Sequence, residues 1–409
     1  MHKGMRALLG AGGLLLTFTA IPADAVTFIL TNTGGAGTGT AALKGFQAAA
    51  SFWGSTLKDN VTVRLNIGFK SLGANIIGQT GMTTGVAYVS DVYAALAADR
   101  TDALDNAAVA SLRPLSTIAS GSYAGMKQLK VTVNQTQATS TGYSDKATRI
   151  DSDGSGNNIA LSATTANLKA LGFSVANSTA ADASITFNSS FAFDFDPTNG
   201  ITSGQVDFVG VAIHEIGHAL GFVSGVDTYD AYTSPTAAAS GTNKAGALDP
   251  YAIGSVLDLY RYSGTGTLDW STSSSAKYFS LDSGISAYNG NAYFSLGATN
   301  GDGYQASHWR KPTGSTCTGL VGIMNPYACN STMGVVTTDD VAAMDAIGWN
   351  VDTSKFGTSG SFTSAQAFSS LKVSVASVPE TGTWAMMLVG FGVLGGVARQ
   401  RRAVRFARA

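Results

Sequence analysis

The stretch Val206–Phe222, "VDFVGVAIHEIGHALGF", constrains the fold more than any other. Phe208, Val209, Val211, Ala212, Ile213, Ile216, Ala219 and Leu220 make most of its circumference apolar, so it predicts a helix buried in the core and ended by Gly221. A buried helix that carries two histidines and a glutamate must supply partners for them. Residues four apart share one helix face, so His214 and His218 point the same way and can hold one metal ion. Glu215 is offset by one position and reaches a water on that ion without being a ligand. Such an ion lowers the pKa of its water toward ~7 and polarises a scissile carbonyl. Glu215 is then the general base that takes the proton and passes it to the leaving group. Two neutral imidazoles suit zinc in preference to calcium or magnesium.

A catalytic zinc usually has a third protein ligand. In the compact arrangement it would stand at Ser224, whose hydroxyl is a poor donor. Asp227 is near in sequence and chemically competent. His308, in "GDGYQASHWRKP", is distant in sequence and the better donor. Of four histidines His2 lies in the expected leader, which leaves only His214, His218 and His308 in the mature chain. The residues alone leave these alternatives open.

Formal net charge is −1 and charged residues make up only 12 %. Nothing there draws the chain to nucleic acid, and no nucleic-acid partner is expected. The Gly, Ser, Thr and Ala that take their place favour short strands and many turns. Leu43–Leu57 has helical spacing, and Asn60–Phe69 alternates with Val61, Val63, Leu65 and Ile67 on one face. Ser90–Arg100 reads as a helix capped by Ser90, and Ala163–Phe173 as one stopped by Gly172. Ser184–Phe195 reads as a strand, with Phe191, Phe193 and Phe195 alternating, that can pair with an extended substrate. The fold class that follows is α+β with a mixed sheet. "DSDGSGNN" at Asp151–Asn158 has two carboxylates and a glycine at calcium-loop spacing, but Ser162 stands where a bidentate Glu is required. It reads as a turn, and calcium is unsupported. Cys317 and Cys329 are the only cysteines and read as one disulfide.

Residues 1–25 carry a basic start, an apolar run and an Ala23-Asp24-Ala25 site, the pattern of a secretory signal peptide. Residues 357–377, rich in Ser, Gly and Thr, read as a linker. Residues 378–409 have turn residues, a short apolar stretch and five arginines, which resembles the PEP-CTERM sorting signal of Gram-negative bacteria. That resemblance implies processing by a membrane-embedded sorting protease and delivery to the cell surface or matrix.

Four features occur together: HExxHxxGF, the late His308-Trp309, "GIMNPYAC" at Gly322–Cys329, and the helix Thr337–Trp349 with Thr337 and Asp340 as its capping pair. Together they resemble the leishmanolysin-like branch of the metzincin zinc proteases, most closely its secreted bacterial relatives with PEP-CTERM tails. The resemblance is strong over Val206–Asp227 and Gly301–Trp349, and departs in a long insertion and few cysteines. It implies His214, His218 and His308 as zinc ligands, Glu215 as base, and Met324 as the methionine of a turn beneath the metal. It offers Tyr327 as a candidate oxyanion stabiliser and lets the Cys317–Cys329 disulfide pin that turn. It implies an N-terminal catalytic subdomain over 26–221, an insertion over 222–307 and a third-ligand subdomain over 308–356. The expected function is a secreted zinc endopeptidase acting on protein or peptide substrates. The rivals are a non-catalytic matrix protein on the same scaffold and a zinc hydrolase of non-peptide amides or esters.

Overall fold

The computed structural model describes residues 25–134, 148–232, 248–312 and 317–371. The signal-peptide and sorting-signal readings fall outside those residues. The architecture is α+β. A four-stranded mixed sheet runs in the order β1 (Thr27–Gly34), β2 (Thr62–Lys70), β4 (Ala183–Asn188) and β3 (Gly78–Met82). β1, β2 and β4 are parallel, and β3 runs antiparallel at the edge. Val63, Leu65 and Ile67 of β2 turn the face anticipated from sequence into the core.

Helix α1 (Ala41–Thr56) begins where Thr40 Oγ1 accepts from the Leu43 amide at 3.1 Å, and five alanines keep it slim. It packs on α2 (Phe208–Leu220), the motif helix, and Trp53 Nε1 donates to the Ile213 carbonyl at 3.0 Å. Gly45 is required here, because a Cβ would collide with the Phe208 ring. Phe208 in turn lies 4.5 Å from Phe187, 4.7 Å from Phe195 and 5.1 Å from Phe46, centroid to centroid. Each such ring contributes roughly 2–3 kcal/mol of burial, so the start of α2 is fixed before any polar group is considered.

The strand expected over Ser184–Phe195 breaks at Asn188. Its side chain donates to the Gly73 and Ile76 carbonyls and accepts from the Ser190 amide, which turns the chain. Phe193–Asp194 resumes as a separate parallel pair with Val206–Asp207. β4 is also internal, flanked by β2 and β3, so it offers no edge to a substrate; β3 does. Ser90 caps nothing: its helix runs Val89–Asp99 from an N-cap at Tyr88. The helix expected over Ala163–Phe173 shortens to Thr165–Ala170, because Ala160–Thr164 pairs with Thr84–Tyr88.

Two domain boundaries also move. A six-stranded sheet takes Arg261–Gly264, Thr267–Trp270, Lys277–Phe279 and Tyr293–Phe294 from the expected insertion, and Val131–Asn134 and Thr148–Asp151 from the N-terminal half. The insertion therefore shares a sheet with the N-terminal half and is not a separate unit. The expected linker is partly structured: Ser361–Thr363 pairs with Val335–Thr337 and leads into a helix at Ser364–Ser369. Phe362, Ala367 and Phe368 bury there, three apolar anchors in a polar stretch. In the Asp151–Asn158 loop, Asp151 Oδ2 pairs with Arg149 at 2.8 Å and accepts from Asn157 Nδ2 at 2.9 Å, while Oδ1 is buried with no partner among the described residues.

Candidate metal centre

Asp207 caps α2, its Oδ1 accepting from the Gly210 amide at 3.0 Å, while Oδ2 holds Gly334 N and Ser364 Oγ. Gly221, at φ +122°, ends the helix. Between these caps the i, i+4 spacing delivers His218 Nε2 to 3.1 Å from His214 Nε2. His308 Nε2 arrives from the far loop at 3.2 Å from His218 Nε2. The third nitrogen of this cluster thus comes from His308, while Ser224 and Asp227 turn to other partners. Ser224 Oγ donates to Asp258 at 2.6 Å, and Asp227 is spent on backbone amides near His308.

Each imidazole is oriented by its other nitrogen. Nδ1 faces the Ile323 carbonyl from His214 at 2.8 Å, the Phe222 carbonyl from His218 at 2.7 Å, and the Gln305 carbonyl from His308 at 3.2 Å. A carbonyl only accepts, so all three Nδ1 atoms carry the proton and donate. All three Nε2 atoms therefore present lone pairs to one another, an arrangement that repels unless a cation sits between them. Donors at the ~2.0–2.1 Å typical of zinc–imidazole bonds stand about 3.3 Å apart on a tetrahedron, close to the spacing observed. The donor set fits a borderline-soft ion such as zinc. Among the described residues one other trio could hold an ion, Asp102, Asp105 and Asp345. There Asp102 and Asp105 already form the capping box of the helix Ala103–Ser111.

Glu215 faces β3. Its Oε2 accepts from Thr80 Oγ1 at 2.6 Å, and a Cβ on Gly78 would lie 2.8 Å from Oε1. β3 must therefore be bare at Gly78 to pass over the carboxylate. Burial pushes the Glu215 carboxyl up to about 7, opposed by the Thr80 hydroxyl. Sequence reading missed Thr80 and Gly78, because "GQTGM" has no apolar alternation to mark it as a strand.

Met324 is fully buried against the helix that carries His214 and His218, and a Cβ on Gly217 would lie 2.6 Å from its sulfur. The glycine between Ile216 and His218 is thus the seat of the methionine. Asp340 secures the turn: Oδ1 accepts from Trp309 Nε1 at 2.8 Å and Met324 N at 3.1 Å, and Oδ2 from Ile323 N and Thr337 N, both at 2.8 Å. Asp340 heads the helix α3 (Thr338–Ala346), so the capping pair expected from sequence exists and also braces the centre. The Cys317–Cys329 disulfide flanks the turn. Tyr327 lines the same cleft of about 920 Å³ as the three histidines, and its buried hydroxyl has no hydrogen-bond partner among the described residues.

Burial holds the His214 imidazole at about 4, and burial together with His214 holds His218 at about 3; burial and both neighbours hold His308 well below its ordinary range. An unfolded histidine takes up a proton near pH 6.5, whereas these folded ones stay neutral. In the metal-free protein each therefore contributes stability that is whole above pH 6.5 and falls with pH below it, by up to ~1.4 kcal/mol per pH unit. Buried carboxyls with raised values, Glu215 among them, act in the opposite sense, so the informative quantity is a difference. Metal-free His308→Gln should gain in melting temperature relative to the metal-free parent as pH drops from 6.5 to 5.5. Parallel melting curves across that range would mean that His308 is not held neutral. Set against family models, curated proteins and solved structures, the chain matches none.

Proposed function

We propose that the chain is a secreted zinc endopeptidase of metzincin-like architecture. The observation that carries the reading is the convergence of three unprotonated Nε2 atoms, 3.1 and 3.2 Å apart along His214–His218–His308, beside a buried carboxylate. Zinc, when bound there, supplies a Lewis acid for the substrate carbonyl and for water.

The chain's own groups do the remaining work. Burial lifts the Glu215 carboxyl to about 7 in the metal-free protein; a bound dication would pull it back down and keep it the carboxylate that takes the proton and returns it. Thr80 fixes one carboxylate oxygen and leaves Oε1 toward Gly78, so the base is aimed. The free edge of β3 borders the same cleft and offers backbone groups to an extended peptide laid beside the base. Tyr327 lines the cleft, and its hydroxyl, covered and unpartnered among the described residues, is the candidate donor to oxygen charge developing there. Export and surface sorting belong to the same reading and rest on the terminal segments.

The test is metal content and casein cleavage of the purified protein. One zinc per chain, cleavage lost to a chelator and restored by zinc, is the expected result. Stoichiometric zinc with no cleavage of casein or a mixed peptide library would instead favour the non-catalytic scaffold.

A further inference from the structure

The turn that follows α2 contributes no side chain to the three-histidine cluster, yet it is bonded densely to the loop that carries His308. Asp258, 1 % exposed, accepts from Ser224 Oγ at 2.6 Å, Gly225 N at 2.7 Å and Ser255 N at 2.8 Å. Gly225 lies so close to the Ile253 carbonyl that no side chain fits. Ser224–Asp227 is therefore a fixed platform.

From that platform Asp227 reaches the third-ligand loop. Its Oδ1 accepts from Ala306 N at 2.6 Å, and its Oδ2 from Ser307 Oγ at 2.5 Å and Ser307 N at 3.2 Å. Ser307 Oγ accepts in turn from Ser224 N at 2.9 Å. The carboxylate thus gathers the amides of the two residues before His308, and the Gln305 carbonyl that orients His308 Nδ1 stands just ahead of them. On the other flank Ser295 N donates to the His308 carbonyl at 2.9 Å, and Arg261 Nη2 donates to the Ser295 carbonyl at 2.7 Å. His308 is held from both sides at the backbone, with its ring free to point inward.

We propose that Asp227 is a positioning residue of the metal centre, acting through Ala306 and Ser307 to hold His308 Nε2 against the pair on α2. The proposal rests on the reading of the three histidines as a metal site, but not on peptidase activity. A carboxylate suits the role because it offers two acceptors to three donors. An asparagine would turn an N–H₂ toward one of them. A loop left untethered would have to be ordered at the moment of metal binding, and outer-shell partners of metal ligands typically matter 10–100-fold in affinity.

The experiment is a double-mutant cycle read by zinc affinity, using competition with a chromophoric chelator, and by the visible spectrum of the cobalt-substituted protein. Asp227→Asn should weaken zinc by about 10–100-fold in the parent and change the cobalt band. In a His308→Ala background the same substitution should cost no more than about twofold, since its effect runs through that ring. Ser307→Ala, which leaves the backbone intact, serves as the milder variant and should show a smaller loss that also vanishes without His308. An equal loss in both backgrounds, or none in either, would overturn the proposal while leaving the peptidase reading intact. Zinc bound with the predicted cycle but no peptide cleavage would sink the peptidase reading and leave Asp227 its role.

Discussion

Glu215→Ala should keep one zinc per chain and lower kcat/KM for a casein-derived peptide about a thousandfold, within the range general-base removal usually costs. Metal retention follows from the geometry. Glu215 makes no contact with the three Nε2 atoms, and its hydrogen bond is to Thr80 at 2.6 Å. The carbonyls that orient the imidazoles belong to Ile323, Phe222 and Gln305, none of which depends on it. Alanine is also a better helix former than glutamate, so α2 should not suffer. Zinc is counted by elemental analysis and rate by peptide hydrolysis. Unchanged turnover with zinc bound would show that some other group moves the proton.

His308→Ala should weaken zinc by more than a hundredfold, beyond the 10–100-fold typical of outer-shell changes, and activity should fall with it. Two histidines on one helix leave a tetrahedral ion two sites to fill from water. The fold should survive: Trp309, beside it, is fully buried, with its Nε1 on Asp340, and it stacks on Phe294 at 5.1 Å. Chelator competition and a melting curve with zinc in excess read the two effects separately. Full zinc binding after His308→Ala, with loss after Asp227→Ala, would transfer the third ligand to Asp227.

The parts of the centre that show in the sequence are those with a local signature. α2 announces itself by apolar period and a terminal glycine, and α3 by its Thr337–Asp340 cap. His308 stands out because histidine is scarce. What stayed hidden is what depends on distant chain. β3 is glycine-rich and polar, since it has to clear Glu215 and border a cleft, so it lacks the alternation that marks a buried strand. Asp227 shows only as an acid near the motif; that its partners lie at Ala306 and Ser307, 79 and 80 residues on, is a property of the fold. The helix at Ser364–Ser369 was masked by Ser and Thr, which here serve as caps and hydrogen bonds instead of linker filler.

The Asp340 carboxylate has a consequence for the order of events during synthesis. His308 lies 90 residues beyond His218, and Asp340 a further 31 beyond Trp309. A nascent chain that has emerged through α2 owns two imidazoles and the base, but neither the third ring nor the acid that fixes the methionine turn. Trp349, whose Nε1 closes on the Leu220 carbonyl 129 residues earlier at 2.9 Å, arrives later still. On the proposed zinc reading, tight metal capture is therefore withheld from every chain that stops short of Trp349, and zinc uptake becomes a readout of a completed centre.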